Sequence, residues 1–259
     1  MKPITSRENA HYKALKKLCL SGRERRKTGR AVLDGMHLIE SYVQRFGAPE
    51  EIIVSESGAL RVEIDTFLRG ANSGNTIFVL NDALFDDLSL LETPSGILAL
   101  VFQPRPHNGL NLTIDTVILD GVQDPGNVGS ILRSAAATGF RQILLSADCA
   151  QAWSPKTLRS AMGAHFQIDI HESCDFPAFL ASYCGQAVLT ALDASVDLYS
   201  LELKGPVAWV FGSEGQGIRP SVANTEHLRI RIPMPGPTES LNVAAAAAVC
   251  LFETIRQRR

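Results

Sequence analysis

Three short segments carry the residues whose types and spacing can do chemistry. Residues 120–133 (DGVQDPGNVGSILR) lead from an apolar run into a helical pattern. Pro125, Gly126 and Gly129 permit a tight turn with close backbone approach, and Asn127 is expected to cap the helix through its side-chain oxygen. Arg133, six residues further on, presents a rigid fork of donors suited to a phosphate. A capped helix with one surface arginine explains the segment equally well. It is neither the dinucleotide-binding glycine fingerprint nor a P-loop.

Residues 211–218 (FGSEGQGI) follow another apolar run. Gly212, Gly215 and Gly217 expose main-chain donors and acceptors that can hold an adenosine-like ligand, with Glu214 as the only charged side chain. An ordinary wide turn is the alternative. Ser213 is no nucleophile elbow, because Gly212 directly precedes it. In residues 232–243 (IPMPGPTESLNV), Pro233, Pro235 and Pro237 hold the chain extended, and Ser240 stands where the cap of a helix over 241–256 belongs. Asn242, an amide among apolar neighbours, needs a partner if buried. The alanines at 244–248 favour helix and close packing.

Strands and helices must position these loops. Apolar runs at 116–119, 142–146, 166–170, 187–192, 207–211 and 228–232 read as strands, with helices over 128–138, 154–162, 176–183 and 240–256. Such alternation implies a mostly parallel sheet covered on both faces, whose ligands bind beyond the carboxyl ends of the strands. Upstream, a helix over 9–20, a loop over 21–30, strands at 31–33, 51–55, 76–80 and 97–102, a helix over 36–45 and a turn at 82–88 suffice for a small α/β domain. The proline- and glycine-punctuated stretch 103–111 is the expected linker, separating domains at 1–102 and 112–259.

With 45% apolar and 20% charged residues, the 259-residue chain has a globular composition. Its longest apolar run, 243–252, is ten residues, against about 20 for a bilayer span. The start lacks the apolar core of a signal peptide. Five cysteines without a C-x-x-C pair suit reduced thiols in a cytoplasm and offer no zinc spacing. No membrane association and no metal are expected. Net charge is −2, yet residues 1–30 alone carry +8. Lys13, Lys16, Lys17, Arg23, Arg25, Arg26, Lys27 and Arg30 are therefore candidate phosphate contacts, against the alternative of a solvated face.

Together the three loops resemble the signature motifs of the SpoU/TrmH family, within the SPOUT superfamily of RNA methyltransferases. They match N-x-G-x-x-x-R at Asn127, Gly129 and Arg133, then G-x-E-G-x-G at Gly212, Glu214, Gly215 and Gly217. The third match is I-P-M-x-G-x-x-x-S-L-N-V at Ile232, Pro233, Met234, Gly236 and residues 240–243. The likeness spans about 112–257, and Ala244 stands where many members have serine. Residues 1–102 are similar to the substrate-binding domain of ribosomal-protein L30/L7Ae type that precedes the catalytic domain in several members.

The resemblance implies an α/β SPOUT domain with a deep trefoil knot, and methyl transfer from S-adenosylmethionine to a ribose 2′-hydroxyl of RNA. Carried over by position, cofactor contacts come from Gly212, Ile232, Met234 and Leu241. Asn127, Arg133, Glu214, Ser240 and Asn242 surround the reacting groups. A homodimer is implied, with a site drawing on both chains. Arg133 as general base is disfavoured, because guanidinium stays protonated; gripping phosphate or stabilising developing charge asks less of it. The separate N-terminal domain favours ribosomal RNA. Transfer RNA, or a non-catalytic RNA-binding or ribosome-assembly factor on the same scaffold, is the alternative.

Overall fold

Short apolar runs condense into two sheets in the computed structural model, which describes residues 1–71, 76–89, 93–106, 109–223 and 227–259. Two linker residues, His107 and Asn108, lie outside the described residues. One compact unit comprises Met1–Pro104 with Trp153–Phe166; the other comprises Arg105–Ala152 with Gln167–Arg259. The single cut expected at 103–111 differs by that excursion. Trp153, Leu158 and Phe166 are buried, and Phe166 meets the Tyr42 ring edge-on at 5.5 Å. Pairing between segments so distant in the chain leaves no mark on local composition.

The first unit holds strands β1 (Lys2–Ile4), β2 (Arg30–Asp34), β3 (Glu51–Ser55), β4 (Thr76–Leu80) and β5 (Ile97–Phe102), in the order β1-β4-β3-β5-β2. β1, β4 and β3 run parallel, whereas β5 is antiparallel to both β3 and β2. The helix Ala10–Leu20 starts at Asn9, whose side chain accepts from the amides of His11 and Tyr12. Its inner face, Tyr12, Leu15, Leu18 and Cys19, joins Val32, Ile53, Leu80 and Phe85 in one core. β1 escapes sequence reading because only Ile4 of its three residues is buried. The helix Val62–Ala71 was open to detection, since Ile64 and Leu68 are buried one turn apart.

The expected loop 21–30 is instead a helix, Gly22–Thr28, started by the Ser21 side chain accepting from the Glu24 amide and stopped by Gly29 at φ 64°. This corrects the reading of Arg25. Its side chain is buried and donates to the carbonyls of Leu18 (2.7 Å) and Cys19 (3.0 Å), the last acceptors of the preceding helix. A charge spent on helix carbonyls inside the unit is not offered to a phosphate.

The second unit contains β6 (Thr116–Asp120), β7 (Gln142–Leu145), β8 (Asp169–Glu172), β9 (Gln186–Thr190), β10 (Val196–Asp197), β11 (Val207–Gly212) and β12 (Leu228–Arg231). Their order is β10-β12-β9-β11-β6-β7-β8, and every pairing is parallel, as the alternation of strands and helices implied. β8 begins later than expected, because Ala164–Phe166 forms a 3-10 turn. Central β6 is buried along its whole length, the pattern of a strand covered on both faces. The helices Pro125–Thr138 and Val243–Gln257 pack against each other. The indole N–H of Trp209 on β11 donates to Thr254 at 3.0 Å and ties the last helix to the sheet. Among the described residues no helix is long and apolar enough to cross a membrane.

Arg25→Ala should lower the unfolding free energy by about 2–3 kcal/mol, because two bonds from a charged donor vanish and leave buried carbonyls unpaired. Exposed Arg26→Ala should change it by less than about 0.5 kcal/mol. Urea unfolding of the two variants measures the contrast, and equal small effects would contradict the buried role of Arg25.

Candidate active site

Parallel strands deliver the loops that follow them to one edge of the sheet. β11 ends at Gly212, where an added Cβ would lie 2.2 Å from the carbonyl carbon of Gly217, so no other residue fits. Ser213 and Gly217 exchange two backbone hydrogen bonds of 3.0 Å, and Gly217 adopts φ 66°. The chain thus doubles back on itself within five residues, and Glu214 is carried on the exposed part of this turn.

Asn127 and Asn242 meet this carboxylate in a single file of hydrogen bonds. The cap of the helix Pro125–Thr138 is Asp124, which accepts from the Asn127 amide at 2.8 Å; Asn127 itself stands inside the first turn. This corrects the expected cap, and proline at the first helical position is the local reason. Likewise the last helix starts at Val243, and its cap is Asn242 rather than Ser240. The Asn242 oxygen accepts from the amides of Ala244 (2.9 Å) and Ala245 (3.3 Å), which turns its NH2 toward Asn127 Oδ1 at 2.9 Å. Asn127 must then present its own NH2 to Glu214 Oε1, at 2.5 Å. Asn242 is exposed, so its partner requirement arises from orientation and not from burial.

A cavity of about 560 Å³ opens beside this relay. Gly212, Glu214, Ile232, Met234, Ser240, Leu241 and Asn242 all line it, together with Gly215 and Gly217. Glycine main chain on one side and apolar Leu189, Ile230 and Val243 elsewhere give the mixed lining of a small-molecule site. A nucleoside-sized cofactor such as S-adenosylmethionine fits this donor set. Among the described residues there is no group of metal-ligating side chains. Asn127 touches the site through Glu214 and Asn242 without lining the cavity.

Arg133 is not brought to this cluster. Six residues along a helix is about 9 Å of rise and roughly 240° of rotation from Asn127, and Arg133 is exposed and outside the cavity lining. Sequence reading also missed Thr190 at the end of β9, residues 191–193 beyond it and Arg229–Arg231 on β12, which form another wall. There Arg229 pairs with Asp193 at 2.6 Å. The strand expected over 187–192 hid the loop that begins after Thr190, and neither segment holds a glycine or proline to mark it.

The eight candidate phosphate contacts divide into three groups. Arg25 is buried. Lys13 pairs with Glu8 at 2.5 Å, Lys16 with Asp87 at 2.6 Å, and Arg30 forks onto Glu50. Lys17, Arg23, Arg26 and Lys27 are exposed, without an ion pair among the described residues.

Comparison with known proteins agrees with this geometry. Residues 115–252 match the SpoU rRNA Methylase family, and residues 9–99 match the MRM3-like substrate binding domain. The chain is 31% identical to the 23S rRNA guanosine 2′-O-methyltransferase RlmP of Bacillus subtilis, covering 97% of this chain and 98% of the relative. It is 30% identical to the 23S rRNA guanosine 2′-O-methyltransferase RlmB of Bordetella pertussis, over 88% and 98%. An AdoMet-bound rRNA methyltransferase from Sinorhizobium meliloti superposes with a TM-score of 0.82 at 26% identity, covering 98% of this chain and 97% of that one. With matches to both halves and most residues of the second and third motifs lining one cavity, the chain belongs to the SpoU rRNA methylase family of S-adenosylmethionine-dependent methyltransferases.

Proposed function

We propose that this protein transfers a methyl group from S-adenosylmethionine to a ribose 2′-hydroxyl of ribosomal RNA. The observation that carries this reading is the Glu214–Asn127–Asn242 file beside a glycine-walled cavity, with the cavity lined by the residues expected to hold the cofactor. Two relatives that match 97% and 88% of the chain, RlmP and RlmB, bear names of 23S rRNA 2′-O-methyltransferases, which supports ribosomal over transfer RNA. Every motif position is filled, which disfavours a non-catalytic factor.

Gly212, Ile232, Met234 and Leu241 hold the cofactor, which when bound supplies an electrophilic methyl on a sulfonium. The chain's own task is then to align the hydroxyl and accept its proton. Glu214 Oε1 is engaged by Asn127, which leaves Oε2 to accept a hydrogen bond from the hydroxyl. Asn127 is held by Asn242, so the carboxylate approaches from a fixed direction. Ser240, exposed on the cavity wall, adds a hydroxyl to the same surface.

Arg133 completes the site of a second copy in a homodimer. Support comes from its place away from its own chain's cluster, and from Phe252, 55% exposed on the last helix that packs against the helix of Arg133. There it grips the target phosphate or stabilises developing charge. The trefoil knot belongs to the same reading, as does a cytoplasmic setting, for which all five cysteines being free speaks. Lys17, Arg23, Arg26 and Lys27 hold the RNA backbone.

Purified protein should incorporate methyl from the labelled cofactor into ribosomal RNA or subunits, at a 2′-hydroxyl when mapped. Arg133→Ala should lower that rate by about 100-fold or more while cofactor affinity stays within about twofold; full activity would remove Arg133 from the site. Deleting residues 1–30 would strip core side chains, so the RNA contacts are tested by Lys17, Arg23, Arg26 and Lys27→Ala together. That variant should lower the salt slope of RNA binding by about 3, and an unchanged slope would contradict phosphate contact.

A further inference from the structure

Asp120 and Arg219 form a pair that the chemistry above does not use. Asp120 ends β6, and its carboxylate is fully buried. A carboxylate so placed needs partners. Arg219 provides two: its backbone N–H donates to Oδ2 at 2.8 Å, and its Nε reaches Oδ1 at 2.6 Å. The guanidinium also approaches Asp148 at 3.4 Å and lies 6.0 Å from the centre of the Phe176 ring.

The neighbours of the two residues explain why this matters. Arg219 directly follows the glycine turn 212–218, and Asp120 directly precedes the loop that leads to Asn127. Gly121, at φ 73°, donates to Ser146 at 2.9 Å, and a Cβ there would stand 3.7 Å from that of Ser213. The two loops are therefore in close approach, and the pair fastens the exit of one to the start of the other. Because the hydrogen bond of the pair comes from the Arg219 backbone, it fixes the main chain, and the ion pair adds the side chain. Neither residue lines the cavity, yet Glu214 stands on one fastened loop and Asn127 in the helix turn that the other leads into.

We propose that Asp120 and Arg219 are a positioning pair that sets the glycine turn against the first loop and keeps the cavity wall in its donor-binding shape. This rests on the donor-binding reading above. Neither residue touches the methyl donor or the RNA.

The test uses the full chain and S-adenosylhomocysteine as the calorimetric probe. Asp120→Asn with Arg219→Gln removes both charges together, so no unpaired buried carboxylate is left to unfold the unit. That double variant should bind the probe about 10-fold more weakly, with the KM for the donor raised in step. The KM for RNA and the melting temperature should stay at wild-type values. Arg219→Lys, which keeps Asp120 ionised and a cation beside it, should recover most of the affinity. Probe affinity within about twofold of wild type, an equal rise in the KM for RNA, or a lost melting transition would each overturn the proposal. No heat with the wild-type protein would overturn the donor site itself, and the positioning pair with it; equal heat from wild type and double variant overturns the pair alone.

Discussion

Three hydrogen-bonded side chains, far apart in the chain and one bond from each other in space, set the demands that the rest of the second unit meets. Asn242 is oriented by the N-terminal amides of the last helix, Asn127 by Asn242, and Glu214 by Asn127. Each link has a direction, since an amide oxygen facing a donor forces its NH2 the other way. Reverse any one, and a donor would face a donor. The file therefore transmits the orientation of a helix terminus to a carboxylate carried on a different strand's loop.

Larger features of the fold follow from that file. β6 and β11 must be neighbours, because the loop after β6 leads into the helix turn of Asn127 and the loop after β11 bears Glu214. The helices Pro125–Thr138 and Val243–Gln257 must pack together so that their first turns coincide. Trp209 and Thr254 secure the last helix to β11, and Arg258 secures its far end through Asp115 at 2.5 Å and the Leu203 carbonyl. Gly212 lets the turn close tightly enough for Glu214 to face across rather than outward. The cavity is then the space that these constraints leave between the turn and the proline-held segment before the last helix.

What the sequence made legible was set by how local each cause is. The TVIL run of β6 and the AWVF run of β11 read as buried strands because both faces are covered, and the glycine and proline loops read as sites because few other roles require them. Seven motif positions expected at the site do line the cavity. The caps were misplaced by two or three residues, although Pro125 itself marked Asp124 as the preferred start. Arg25 read as a free charge, because nothing in GRERRKT distinguishes a buried arginine from its exposed neighbours. The excursion 153–166 and the cavity wall beyond β9 depend on distant pairing, which periodicity does not register.

The directed file of amides is the central claim, and Asn242→Asp isolates it. Aspartate caps a helix as well as asparagine, so the bonds to Ala244 and Ala245 survive, but it has no hydrogen to give Asn127. Single-turnover methyl transfer at saturating donor and RNA is the decisive measurement. The account predicts a loss of about 100-fold with an unchanged melting temperature. A wild-type rate from that variant would contradict it.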